Sequence, residues 1–217
     1  MKTIIKLSVL LILLLSTNIF ANAVATITAL KGSATIERND TDIKALLGDK
    51  LEQKDTVLTK KNSKLQMIFN DETIITVGKS SNFSIDEYLF GENQKPLARF
   101  EILKGAMKTI TGKIGKIAPQ KFTLKAKTAL IGIRGTNFIV ILGDDSSLET
   151  YCTRGAISVT LNKQIYVVKQ GFVLIVSHHG KIELKEFSSE DLKNIEKRHF
   201  KISKSKEGKV SLDSTLK

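Results

Sequence analysis

Along most of this chain, apolar and polar positions alternate in short stretches. Val24 to Ile36 alternates on either side of Gly32-Ser33. Leu65-Gln66-Met67-Ile68-Phe69 is strand-like, Asn70-Asp71-Glu72 breaks the pattern, and Thr73 to Val77 resumes it, which predicts a β-hairpin. Ile131 to Leu142 is a longer apolar run that ends at the turn Gly143-Asp144-Asp145-Ser146-Ser147, and Leu148 to Cys152 returns from it. Ala156 to Leu161, Gln164 to Lys169, Phe172 to Ser177 and Lys181 to Phe187 are further strands, separated by turn residues at Asn162-Lys163, Gln170-Gly171 and His179-Gly180. Short strands at this spacing predict an all-β domain over residues 24–187, a two-sheet sandwich or roll of antiparallel strands.

One phrase recurs: Lys31-Gly32-Ser33-Ala34, Lys104-Gly105-Ala106-Met107 and Arg154-Gly155-Ala156-Ile157. Each joins a basic residue to a glycine turn or bulge and then to an alternating strand. The unequal intervals exclude a solenoid of fixed period. The pattern changes at the C-terminus. Ser188 suits an N-cap, Asp191 follows three residues later as in a capping box, and Leu192, Ile195 and His199 share one face. A short helix over residues 188–200 is expected, followed by a basic, flexible tail over 201–217.

The first residues read differently. Lys2 and Lys6 precede the apolar run Leu7 to Leu15, broken only by Ser8, and Ala21-Asn22-Ala23 follows. This order predicts a signal peptide over residues 1–23, cleaved after Ala23, and a periplasmic mature chain. Ser16, Thr17 and Asn18 shorten the apolar run below the ~20 residues of a spanning helix. No second long apolar run occurs, so the mature chain is not expected to be an integral membrane protein.

The formal charge is +12, or +10 once Lys2 and Lys6 are removed. That balance suits anionic company, such as headgroups, an anionic envelope polymer or an acidic partner, and equally suits lysine used for solubility. Nucleic acid is poorly placed outside the cytoplasm. Lys104, Lys108, Lys113, Lys116, Lys121, Lys125 and Lys127 occur with only Glu101 nearby in sequence. They form a candidate anion-binding surface if one edge collects them, and a dispersed solvated face otherwise. The single cysteine, Cys152, excludes an internal disulfide and reads as a small buried residue.

Catalytic patterns are poor. Gly112-Lys113-Ile114 lacks P-loop spacing, and no G-x-S-x-G occurs. His178 and His179 are adjacent and point apart in an extended segment. Acidic pairs such as Asp71-Glu72 and Asp144-Asp145 lie in turns, where solvated charge is expected. No catalytic residue, metal or cofactor is expected.

The most distinctive segment is Ile131-Gly132-Ile133-Arg134-Gly135-Thr136-Asn137-Phe138. An arginine inside an apolar strand must be paired if it is buried. A bulge at Gly135 would aim Arg134 at a carboxylate or at backbone carbonyls, with Asp49 and Asp55 as candidates, or at a partner. This segment resembles the V-R-G-T-x-F signature of the FecR-type domain family. Gly48-Asp49-Lys50-Leu51, Asp55-Thr56-Val57, the hairpin Phe69 to Gly78, Phe122-Thr123-Leu124 and Ala126 to Ala129 resemble other stretches of that family. The resemblance runs from about Val24 to Phe187. It implies a non-catalytic periplasmic β domain used in binding and signal relay, with Gly132, Arg134, Gly135, Thr136 and Phe138 as motif positions. In the best-known members a cytoplasmic segment binds a sigma factor and a membrane helix follows. Here only Met1 to Lys6 precede the apolar run, so the expectation is a stand-alone module with an envelope protein as partner. The alternative expectation is an envelope structural or glycan-binding protein that uses a basic surface.

Overall fold

A computed structural model describes residues 23–201; the expected signal peptide, with Ala21, and the tail beyond Lys201 lie outside the described residues. The first strands are β1 (Ala25–Lys31), β2 (Ala34–Arg38), β3 (Thr41–Lys44), β4 (Lys50–Leu51) and β5 (Thr56–Thr59). Next come β6 (Lys64–Phe69), β7 (Ile74–Val77), β8 (Asn82–Leu89) and β9 (Leu97–Ile110). A short helix α1 (Ile114–Ile117) and a 3-10 turn at Pro119–Lys121 lead to β10 (Phe122–Ala126), β11 (Ala129–Leu142) and β12 (Leu148–Leu161). The chain ends with β13 (Gln164–Lys169), β14 (Phe172–Val176), β15 (Ile182–Glu186) and α2 (Ser189–Ile195), which runs into a π-helical turn at Glu196–Phe200.

The hydrogen bonds form one continuous network, yet the strands fall into two groups. The first runs β3-β2-β5-β8, then Leu97–Lys104 of β9, β10, and one half each of β11 and β12, to β13. The second runs β4-β1-β6-β7, then Gly105–Ile110 of β9, and the other halves of β11 and β12, to β14 and β15. All pairings are antiparallel except β9 with β10, which the crossover through α1 makes parallel.

Three strands of 14 residues, β9, β11 and β12, belong to both groups. Each changes neighbours at one glycine: Gly105, Gly135 and Gly155. All three have positive φ, at +87°, +61° and +78°. The side-chain parity reverses there. In β9 the inner residues are Ala98, Phe100 and Ile102 before Gly105, but Met107 and Thr109 after it. In β11 they are Ile131 and Ile133, then Phe138 and Val140. In β12 they are Thr150 and Cys152, then Ile157 and Val159. An inserted residue in a bulge bends the strand and turns it over, so one strand lines two sheets. The recurring basic-Gly phrase is this device, and Gly32 at φ +82° serves it between β1 and β2. It also explains why these strands look short in sequence: alternation is lost wherever parity flips.

The interior between the groups is aromatic. Phe100 packs against Phe69, Phe83 and Phe122 at ring-centroid distances of 5.0, 5.5 and 5.4 Å, and Phe122 packs edge-on against Phe138 at 6.4 Å. Two buried carboxylates stand beside this core. Asp55 accepts from Arg38 Nε at 2.7 Å, Arg38 Nη2 at 2.6 Å and Glu52 N at 2.8 Å. Asp71 accepts from the Tyr88 hydroxyl at 2.9 Å, Thr73 N at 3.1 Å, the Thr73 hydroxyl at 2.8 Å and Ile114 N at 3.1 Å. The expectation of solvated charge at Asp71 is therefore overturned: its side chain points inward and ties the β6–β7 turn to β8 and α1.

Helix α2 opens with the expected capping box. Asp191 N donates to Ser188 Oγ at 3.1 Å, and Ser188 N donates to Asp191 Oδ2 at 2.8 Å. Ile195 and Phe200 lie over Ala106, Ile139, Ile141, Tyr151 and Val173, so the outer face of the second group is buried as well. That is why β11 is apolar at every position after Asn137. The last turn is fixed by Lys79 N, which donates to His199 O at 3.2 Å, and by the Lys108–Glu196 ion pair. Burial, with the charge of Arg198, holds the His199 imidazole below its usual range. A depressed histidine favours the neutral form in the fold, so its stabilisation is present above about pH 6.5 and is lost as the pH falls. Amide protection in residues 196–200, taken relative to the intrinsic exchange rate at each pH, is expected to fall between about pH 7.5 and 5.5, and His199→Gln to flatten that dependence. A flat wild-type profile would refute it.

At the opposite end of the chain, Val24 N donates to Leu51 O at 2.8 Å, and Asn70 Nδ2 donates to Ala23 O at 2.8 Å.

Candidate interaction surface

The motif strand places its residues on two sides of the sheet. Phe138 is fully buried in the aromatic core. Thr136 is buried too, and its backbone is latched to Thr111. Thr136 N donates to Thr111 Oγ1 at 3.1 Å, and Thr111 donates back to Thr136 O through Oγ1 at 2.9 Å and N at 3.1 Å. Gly135 and Gly155 face each other across the bulge. A Cβ on Gly155 would lie 2.4 Å from Gly135 O, whereas one on Gly135 would meet nothing within 4 Å. Both have positive φ, which costs an L-residue about 1–2 kcal/mol. Gly135→Ala is expected to cost about 1 kcal/mol, and Gly155→Ala at least twice that. Equal losses in urea midpoints would show that the close approach does not matter.

Arg134 is the correction. It is exposed, and among the described residues it has no carboxylate within ion-pair distance. Asp55 is taken by Arg38, and Asp49 Oδ2 accepts from Leu46 N at 2.8 Å. Parity gives the reason: one residue before the bulge, position 134 falls on the outer face. Arg134 therefore needs no internal partner.

The seven lysines do not form one surface. Lys104 pairs with Asp144 at 2.9 Å, Lys108 with Glu196, Lys113 with Glu72 at 2.6 Å and Lys125 with Glu101 at 2.8 Å. They lie on β9, after β9, and on β10. Three of the acids come from distant sequence, which is why the local count of charge failed. Lys116, Lys121 and Lys127 have no such partner among the described residues. Cys152 is buried as expected, and burial pushes its thiol above the usual range, which makes it unreactive.

Among the described residues no helix covers Leu130, Ile165 and Val167 on the outer face of the first group, in contrast to the helix-covered face of the second. Strand register aligns Ile165, Thr160, Leu130 and Lys125 in one row across it, and Val167, Ser158, Gly132 and Thr123 in the next. Arg134, Ala156 and Lys169 make a third row. The small residues in the middle leave a groove of about 520 Å³ floored by Gly132, Ala156 and Ser158, with Arg134 and Val167 at its sides. A Cβ at Gly132 would lie 2.8 Å from Ser158 Oγ, so a larger residue there would require the Ser158 side chain to turn away. Sequence reading found Gly132 and Arg134 but missed Ile165 and Val167, since Ile165-Tyr166-Val167-Val168 reads as a fully buried run.

The description "FecR protein" belongs to the family model that residues 55–158 match. The chain carries a FecR domain. The matched part of the FecR domain runs from the buried Asp55 to Ser158 beside the groove, and includes all three long bent strands except the last residues of β12. Two crystal structures of a "putative anti-sigma factor" from Parabacteroides distasonis ATCC 8503 share the fold, with TM-scores of 0.53 and 0.52 at 13% identity. Each match covers 64% of this chain and 63% or 62% of the solved one, so this FecR-domain chain spans less than two thirds of that protein's length. No curated protein matches the sequence. Among the described residues, no helix is long and apolar enough to cross a membrane.

Proposed function

We propose that this FecR-domain protein is a non-catalytic periplasmic module that binds another protein in envelope signalling or assembly. The observation that carries the reading is the open outer face of the first strand group. It presents Leu130, Ile165 and Val167, 46%, 65% and 56% exposed, around the unpaired Arg134. Exposed apolar groups around a cation suit a protein partner. The name of the Parabacteroides neighbour favours a regulatory role over a structural one. The glycan-binding alternative rests on the lysines, and four of the seven are already neutralised. Affinity purification of the mature chain from envelope fractions is expected to recover one protein in stoichiometric amount. Recovery of only peptidoglycan or lipopolysaccharide, released by salt, would replace this reading with the alternative.

A further inference from the structure

The open face ends at an unusual edge. Among the described residues strand β13 pairs with β12 alone, so its other side carries backbone donors and acceptors with no ladder partner there. The other edges are blunted. β15 alternates charge at Glu183, Lys185 and Glu186, β3 carries Asp42 and Lys44, and β4 has only two residues. Charged and short edges prevent pairing with other chains. β13 has four consecutive apolar residues, Ile165 to Val168, and over six residues it is long enough for a stable ladder. Val168 is inside and Tyr166 half-buried, while Ile165 and Val167 stand on the open face.

The charge around this edge has one sign. From Pro119 to Thr136 and from Arg154 to Gln170 the sequence contains no Asp or Glu. Lys121, Lys127, Arg134, Lys163 and Lys169 have no carboxylate partner among the described residues, and Lys125 alone is paired. A second copy of this chain would bring like charges together. Residues 202–217 carry four lysines against two acids, so they do not complement it either.

Resting on the interaction reading above, we infer that β13 is a strand-addition site for an extended, acidic segment of a partner protein. The partner strand would hydrogen-bond along residues 164–169 and lay alternate apolar side chains beside Ile165 and Val167 on the open face. Its flanking carboxylates would meet Lys169 at one end of the strand and Lys163 at the other. Main-chain bonds supply affinity in this mode, and side-chain pockets supply specificity.

The probe is the peptide acetyl-Glu-Glu-Val-Thr-Val-Glu-Glu-amide, whose valines and terminal glutamates share one face, added to labelled mature protein. Amide shifts and slowed exchange are expected at 164–169 with side-chain shifts at Ile165 and Val167, and binding should weaken at least tenfold between about 50 and 300 mM salt. Val167→Glu, at an exposed position that leaves the core intact, removes the apolar contact and repels the acidic strand, and should reduce binding at least tenfold. A peptide N-methylated at alternate amides should not bind. Equal binding by the N-methylated peptide would overturn the inference, as would shifts elsewhere. Dextran sulfate reproducing the same shifts would overturn it in favour of a charge-only surface, and self-association protecting the same amides in favour of a second copy. A photo-cross-linker at position 167 and another at the exposed Leu47 separate this inference from the broader one. An envelope protein trapped only at 47 sinks the edge and leaves the interaction reading intact. Peptide binding at the edge with no envelope protein recovered does the reverse.

Discussion

Asp71→Ala is expected to lower unfolding free energy by roughly 3–6 kcal/mol, most of what a domain of this size possesses. The carboxylate is fully buried and accepts four hydrogen bonds. Truncation strands the Tyr88 hydroxyl, Thr73 N and Ile114 N, and each buried donor left unpaired costs about 1–3 kcal/mol. Burial and the Asp71 charge push the Tyr88 hydroxyl well above its usual range, so it remains a donor at any working pH. Tyr88 cannot compensate by ionising. Asn offers one acceptor oxygen but turns a second donor toward Ile114 N, so Asp71→Asn should recover less than half of the loss. Urea denaturation followed by tyrosine fluorescence measures both, and a loss below about 1 kcal/mol for Asp71→Ala would refute this account.

Arg38→Ala is expected to cost about 3–4 kcal/mol, toward the low end for a buried pair because the Arg38 side chain is 24% exposed. The guanidinium meets Asp55 through two nitrogens and also reaches Glu52 and Lys50 O at 3.0 Å. Its removal leaves the fully buried Asp55 charge with only Glu52 N. The same logic predicts a rescue: Arg38→Met combined with Asp55→Leu should be more stable than Arg38→Ala alone. A double variant no better than the single one would show that geometry, and not the stranded charge, sets the loss.

Much of this fold was legible in the sequence. The β6–β7 hairpin, the β11–β12 hairpin, β13 to β15 and the capped α2 all lie where alternation and turn residues place them. At the motif positions named from sequence, Asp55 and Phe138 are buried and Gly135 has positive φ. Three things were not legible, each for a physical reason. The length of β9, β11 and β12 was hidden because a bulge reverses parity, and a reversed pattern reads as a break. The roles of Arg38 and Asp71 were hidden because their partners lie 14 to 43 residues away. The open face was hidden because a strand with apolar residues on both sides looks buried from sequence alone. Only the sheet edge reveals that one side of β13 has no neighbour.

The hydrogen bonds at Ala23 and Val24 set an order of events. A peptidase that cuts between these residues needs an extended, accessible chain. In the folded molecule Ala23 O is held by Asn70 and Val24 N lies in the ladder beside β4, so a peptidase acting there would have to cut before the sheet closes. Cutting early also changes the bond that forms afterwards. The freed Val24 nitrogen is an ammonium near neutral pH, and a charged donor to Leu51 O binds more strongly than an amide. Processing at this junction would thus precede folding, and would exchange the Asn70 bond to Ala23 O for a charged donor from Val24 to Leu51 O.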